Sequence, residues 1–218
     1  MSKFYPESKV EIQGLTAKYY DQLLNIFSLG FYSRFIRNVI SQLKIEREDY
    51  ILDLGCGTGR NAQLMNGYLH EKGFVLGLDV SEKMGKRFEN RFKDYKNTQF
   101  MNQRIDLPLN LKEKFDKVFI SFVIHGFPNE IRKIIIHNAH KNLKPGGTFW
   151  ILDFNEFSLK DMPSYYRIPF TKIECKYAFD FIERDWKKIL ENSGFNNFSE
   201  IFYLKSYVRL LKAEKNKR

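Results

Sequence analysis

The chain has 218 residues with 43% hydrophobic and 16% aromatic content, enough for one domain with a substantial core plus a small appendage, and too apolar for disorder. Lysine and arginine number 36 against 26 acids, a formal charge of +10, but residues 205–218 hold six of those cations and one acid, so half of the excess is local to the C-terminal end. Nucleic acid is not expected as a partner on that basis, whereas a basic tail resting against a membrane surface stays open.

The longest nearly uncharged apolar run, residues 118–127, is half of the roughly 20 residues a membrane helix needs, and the opening segment has no apolar signal core. Cys56 and Cys175 stand 119 positions apart, which excludes a disulfide framework and a thiolate-rich zinc site. A cytoplasmic location is expected.

Residues 13–43 show helical periodicity interrupted near Gly30, with Leu15, Tyr19, Leu23 and Ile26 on one stripe and Phe35, Ile36, Val39, Ile40 and Leu43 continuing it. We read residues 1–45 as an N-terminal helical lid and residues 46–218 as the main domain. Strand-like runs follow at 50–54, 74–79, 99–101, 117–122 and 148–153, separated by helical runs at 61–70, 82–95 and 129–143. This alternation predicts a parallel sheet wrapped by helices. After Asp153 the rhythm breaks through a stretch containing Pro163 and Pro169, read as irregular to about Ala178. A helix at 183–192 stopping at Gly194 and a hairpin of runs 199–204 and 207–211 complete the chain.

The first strand runs into Asp53-Leu54-Gly55-Cys56-Gly57-Thr58-Gly59-Arg60. Alternating glycines between a strand and a helix let bare backbone N–H groups approach a ligand closely. The dinucleotide fingerprint fails, however, because its third glycine falls on Arg60, and Asp53 places a carboxylate where a pyrophosphate would be repelled. A ligand with an ammonium or sulfonium fits better. Asp79 ends the second strand, where a carboxylate can accept from both hydroxyls of a ribose, while Ser81 is available as the cap of the next helix.

Together LDLGCGTG, GLDVSEKM, FDKVFISFVIHGF and LKPGGTFWILDF resemble, in this order and spacing, the class I S-adenosylmethionine-dependent methyltransferases, and most closely their UbiE-like, or methyltransferase type 11, branch. The resemblance covers residues from about 16 to 213. It implies a Rossmann-like α/β fold with a seven-stranded, mostly parallel sheet, an antiparallel C-terminal edge hairpin, and S-adenosyl-L-methionine as cofactor. It further implies that Asp53, Gly55, Cys56 and Gly57 bind the methionine part, Asp79 the ribose and Val80 the adenine. The adenine amino group is usually received by an aspartate that here is Gln103, assisted by Ile105, with Asp106 as the alternative. Ser121 and Phe122 fall where the family lines the methyl region.

Two catalytic candidates emerge. His125, just past the fourth strand, can act as a base near neutral pH, and its competing reading is a packed loop histidine. Tyr20 resembles the family's helix over the cofactor, where an aromatic face holds a sulfonium by cation–π attraction; a core tyrosine is the alternative. His137 and His140 share a helix face without a third ligand at matching spacing, so no metal is expected. The aromatic segment 154–181 stands where these enzymes build a substrate lid and points to a small lipophilic or aromatic acceptor. An RNA or protein acceptor, and a noncatalytic cofactor-binding subunit needing a partner, remain as alternatives. The acceptor atom and the oligomeric state stay open.

Overall fold

The computed structural model describes Ser8 and residues 31–217. Seven strands form one sheet: β1 (Tyr50–Leu54), β2 (Phe74–Asp79), β3 (Thr98–Asn102), β4 (Phe115–Ser121), β5 (Leu143–Phe154), β6 (Phe195–Tyr203) and β7 (Val208–Lys215). Their order is β3-β2-β1-β4-β5-β7-β6, with the first five parallel, β7 antiparallel to β5 and β6 antiparallel to β7. The expected Rossmann-like sheet with an antiparallel edge hairpin is thus the fold observed.

Helices α1 (Phe31–Gln42), α2 (Arg60–Asn66) and α3 (Glu82–Arg91) cover one face. Helix α4 (Asn129–Asn142) lies across the other, together with α6 (Lys176–Ile182) and α7 (Trp186–Glu191). Burial on both faces explains why the central strands read as apolar runs rather than alternating ones. The period of two then divides each strand between two cores: Leu52, Leu54, Val118 and Ile120 pack with Ile135 and Ile136 of α4, while Ile51, Val75 and Phe119 pack with Ile36 and Val39 of α1 and Phe88 of α3. Strands β1 and β2 have the expected limits. Helix α2 is shorter than expected because Gly67 caps it, and α3 ends at Arg91 as Phe92 turns toward Tyr95, their rings 5.4 Å apart.

Two expectations are corrected. The stretch read as irregular contains α5 (Ser164–Ile173) and then α6. Pro163 precedes the first turn of α5, where its missing N–H has no helical partner to lose. Pro169 lies inside an exposed helix, so water can satisfy the carbonyl it leaves unbonded. Second, the basic end is no tail: β7 is inserted between β5 and β6. Arg209 is 4% exposed and bonds Glu200 at 2.7 Å and Glu156 at 2.9 Å, while Lys215 donates to the His140 and Leu143 carbonyls. Both faces of β7 are covered, which buries Leu210 in one core and Leu211 and Ala213 in the other, and intrachain partners hold the Arg209 and Lys215 cations.

Of the expected lid, α1 is packed into the core; residues 1–7 and 9–30, Tyr20 included, lie outside the described residues. Among the described residues no helix is long and apolar enough to cross a membrane.

Candidate active site

The C-terminal ends of β1, β2, β4 and β5 converge on the glycine loop. Gly55, Gly57 and Gly59 all have φ between 54° and 79°, the left-handed region where a side chain is strained. A Cβ on Gly59 would come within 2.7 Å of Phe88, so this glycine serves helix packing; a Cβ on Gly57 would meet nothing within 4 Å among the described residues. Among the described residues, nothing covers the Cα of Gly57. Its N–H donates to Asp79 Oδ2 at 2.9 Å, and the Ser81 N–H donates to Asp79 Oδ1 at 2.8 Å. Ser81 also caps α3 through its hydroxyl, as its position suggested.

Asp53 is 1% exposed, and among the described residues no group donates a hydrogen bond to either of its carboxylate oxygens. Burial, and secondarily the neighbouring Asp79 charge, push its pKa up to about 7. An ionised carboxylate in such a site calls for a cation. Burial raises Asp79 as well, although the backbone N–H groups of Ser81 and Gly57 oppose it. The Cys56 thiol is pushed well up by burial and by Asp53 and Asp79, so it is a neutral side chain facing Gly77 rather than a nucleophile.

The adenine candidates line the turn after β3. The Gln103 N–H donates to the Asp79 carbonyl at 3.1 Å, which fastens this turn to β2 beside the half-buried Val80. Asp106 is buried and ion-paired with Arg104, and the Ile105 carbonyl accepts from Asn138 at 2.8 Å. Ser121 Oγ accepts from Asn61 at 2.9 Å, tying β4 to α2. Phe122 holds φ at 51°, an unusual conformation for an aromatic residue, while its N–H donates to the Leu152 carbonyl.

His125 lies in a short 3-10 turn (Ile124–Gly126), its Nδ1 2.7 Å from Asp153 Oδ1 and its Nε2 3.5 Å from Glu174 Oε2. Burial pulls its pKa down, but the Asp153 charge and hydrogen bond, with Glu174, outweigh it and raise it overall. Arg132 of α4 underlies the turn, donating to the carbonyls of Ile124, His125 and Tyr177.

Sequence reasoning missed Asn61, Arg132, Asp153 and Glu174. Asp153 had a signal, an acid ending a strand as Asp53 and Asp79 do. Arg132 sits on a helix stripe with Ile135 and Ile136, and Glu174 lay in the stretch read as irregular. Among the described residues no three His, Cys, Asp or Glu side chains are grouped as metal ligands would be.

Comparisons with known proteins agree with this geometry. Residues 51–147 match a family described as methyltransferase domain. The chain is 28% identical over 197 residues to the demethylmenaquinone methyltransferase of Staphylococcus carnosus, covering 82% of this chain and 80% of the relative. It is 29% identical over 160 residues to the ubiquinone/menaquinone biosynthesis C-methyltransferase UbiE of Wigglesworthia glossinidia brevipalpis, covering 69% of this chain but 63% of the relative. In fold it is similar to a SAM-dependent methyltransferase from Aquifex aeolicus, with a TM-score of 0.59 at 18% identity over 82% of this chain and 88% of that one. It is also similar to magnesium protoporphyrin IX methyltransferase from Synechocystis, solved with S-adenosylhomocysteine, with a TM-score of 0.63 at 21% identity over 85% and 84% of the two chains.

A strand–glycine loop–helix unit, acids ending β1 and β2, and this seven-stranded sheet make the chain a class I S-adenosylmethionine-dependent methyltransferase. Within that class it is UbiE-like. Its residues fit the cofactor on two structural counts: a buried carboxylate suited to a cation, and a Gly57 Cα that nothing covers among the described residues.

Proposed function

We propose that this enzyme methylates a quinol-like aromatic acceptor, and that the cofactor is held as follows. Asp53 pairs with the ammonium group, Gly55, Cys56 and Gly57 line the methionine part, Asp79 accepts from the ribose diol, and Val80, Gln103 and the Ile105 N–H border the adenine. Ser121 and Phe122 border the methyl region, and of the segment 1–45 the part that precedes α1, Tyr20 included, is assigned to the lid. The observation that carries this reading is the Asp53 carboxylate, buried beside a glycine loop with no donor among the described residues.

When bound, S-adenosylmethionine supplies a methyl group already activated on a sulfonium, so the chain's own task is placement, exclusion of water and proton handling. Phe154 supports an aromatic acceptor: its ring lies 4.9 Å from His125 and 5.0 Å from Phe170, itself 5.8 Å from Phe157 and 5.9 Å from Phe179. These rings belong to segment 154–181, the proposed substrate lid, and the names of the two relatives point to the same acceptor class. Small-molecule methylation in the cytoplasm accords with two free, buried cysteines.

Thermal-shift titration with S-adenosylmethionine, S-adenosylhomocysteine and NAD tests the cofactor assignment. Ligand at 100 times its Kd adds about 2.7 kcal/mol, or roughly 5 to 10 °C for a chain of this size. A shift with the adenosyl-sulfur ligands alone is expected, and a shift with NAD alone would overturn the assignment. Transfer of labelled methyl to reduced naphthoquinols tests the acceptor; methylation of RNA or protein in their place would overturn it.

A further inference from the structure

Three acids or bases from separate elements meet beyond the end of β4. His125 has a carboxylate at each ring nitrogen: Asp153 of β5 at 2.7 Å from Nδ1 and Glu174, between α5 and α6, at 3.5 Å from Nε2. Accessibility rises along the row, from 1% for the Asp153 side chain to 12% for His125 and 19% for Glu174. Among the described residues, further charges in contact here are Arg132 of α4, 2.9 Å from the His125 carbonyl, and Asp180 of α6, 2.6 Å from Arg132.

A neutral imidazole donates through one nitrogen and would turn a lone pair toward the carboxylate at the other; two flanking carboxylates select the imidazolium instead. The separation between Nε2 and Glu174 exceeds the 2.7–3.2 Å of an ordinary N–H···O bond. A hydroxyl oxygen at about 2.8 Å from each atom would complete a triangle, accepting from Nε2–H and donating to Glu174. The Phe154 ring, 4.9 Å from His125, forms an apolar wall beside that position.

Resting on the reading of a quinol-like acceptor, we propose that Glu174 and His125 together seat the acceptor's hydroxyl. Glu174 Oε2 takes its proton, and the His125 imidazolium holds the oxygen as negative charge develops. His125 is then the donor and Glu174 the base, while Asp153 positions the ring. The acceptor's O–H bond ionises with its proton moving to Glu174. An acceptor ring carbon, made nucleophilic by that oxygen, forms the new bond to the methyl group as the methyl–sulfur bond breaks, with its electron pair left on sulfur as a thioether. The ring carbon then loses its hydrogen as a proton and the oxygen is reprotonated, so that one proton leaves to solvent by way of the partly exposed Glu174.

The test titrates the full chain with 4-nitrophenol and 4-nitroanisole, with and without S-adenosylhomocysteine, following the phenolate absorbance at a pH below the solution pKa of the phenol. Charge-assisted hydrogen bonds predict that the phenol binds at least about tenfold more tightly than the ether and binds ionised. Glu174→Gln is expected to abolish the phenolate signal while leaving S-adenosylhomocysteine affinity unchanged, and His125→Ala to reduce phenol affinity to that of the ether. Equal affinities for phenol and ether, no saturable binding of either, or a phenolate signal that survives Glu174→Gln would each overturn the proposal. Failure of the unmodified chain to bind S-adenosylhomocysteine would count against the cofactor assignment instead, since the phenol titration is also read in its absence.

Discussion

Asp53 and Asp79 end neighbouring parallel strands, yet only one is bonded within the described protein. Asp79 accepts from the backbone of Gly57 and Ser81, whereas Asp53, buried beside it, has no donor among the described residues. Asp79 thus shapes the loop. Asp53 contributes nothing to the described fold that its burial does not cost, which is what a residue kept for a cationic ligand should look like.

Because Asp79 holds two backbone N–H groups, Asp79→Ala should loosen the loop by about 1–3 kcal/mol as well as weaken cofactor binding. Asp79→Asn keeps one acceptor oxygen and isolates the ligand effect: S-adenosylhomocysteine affinity should fall at least about tenfold with a smaller change in Tm. Calorimetric affinity equal to that of the unmodified chain would remove Asp79 from the ribose assignment.

Asp53 sets a pH dependence whose sign is fixed. Its folded pKa of about 7 lies above the ordinary carboxylate value, so the folded chain holds an extra proton from about pH 4 to 7, and stability falls as pH rises through that window. The loss amounts to a few kcal/mol at most. Ligand-free Tm should therefore drop from pH 5 to 7.5, and Asp53→Asn should flatten the profile. The same variant should lose affinity for S-adenosylmethionine, and binding to the unmodified protein at pH 6 should release close to one proton, readable by calorimetry in buffers of different ionisation heat. A flat Tm profile in the unmodified chain, or no proton release, would refute the shift.

The sheet and the loop were legible in the sequence because both follow from local rules. Continuous apolar runs mark strands covered on both faces, and the alternation of glycines marks a turn that no other residue closes. What escaped was set by distance. His125 was visible as a residue beyond β4, but its partners lie 28 and 49 positions away, on β5 and in a stretch that two prolines disguised as irregular. Likewise, the C-terminal cations read as a solvated tail because the acids that pair Arg209, Glu156 and Glu200, lie on other elements.

Gly57→Ala separates strain from ligand contact. Among the described residues the new Cβ meets no atom within 4 Å, so the folding cost there comes from the left-handed φ of 54°, about 1–2 kcal/mol. If the cofactor fills that space, affinity should fall well beyond that amount while the fold persists. Denaturant midpoints and S-adenosylhomocysteine titrations on the same preparation check this, and an affinity loss no larger than the stability loss would mean the ligand lies elsewhere.

Arg132 and Asp180 provide a test of how the turn bearing His125 is held. The guanidinium is fully buried, stacks over Phe181 at 5.2 Å and supports three carbonyls, but its carboxylate partner is 42% exposed and shared with Arg184. Removing the exposed partner leaves a buried charge uncompensated, so Asp180→Ala should cost about 3–5 kcal/mol, far more than a surface substitution ordinarily does. Arg132→Met fills the space without the charge but strands the carbonyls of Ile124, His125 and Tyr177, again at several kcal/mol. In the double variant no unpaired guanidinium remains, and its loss should be smaller than the two single losses added. Urea denaturation of the four proteins gives the coupling directly. Additive losses would mean that Arg132 does not depend on Asp180.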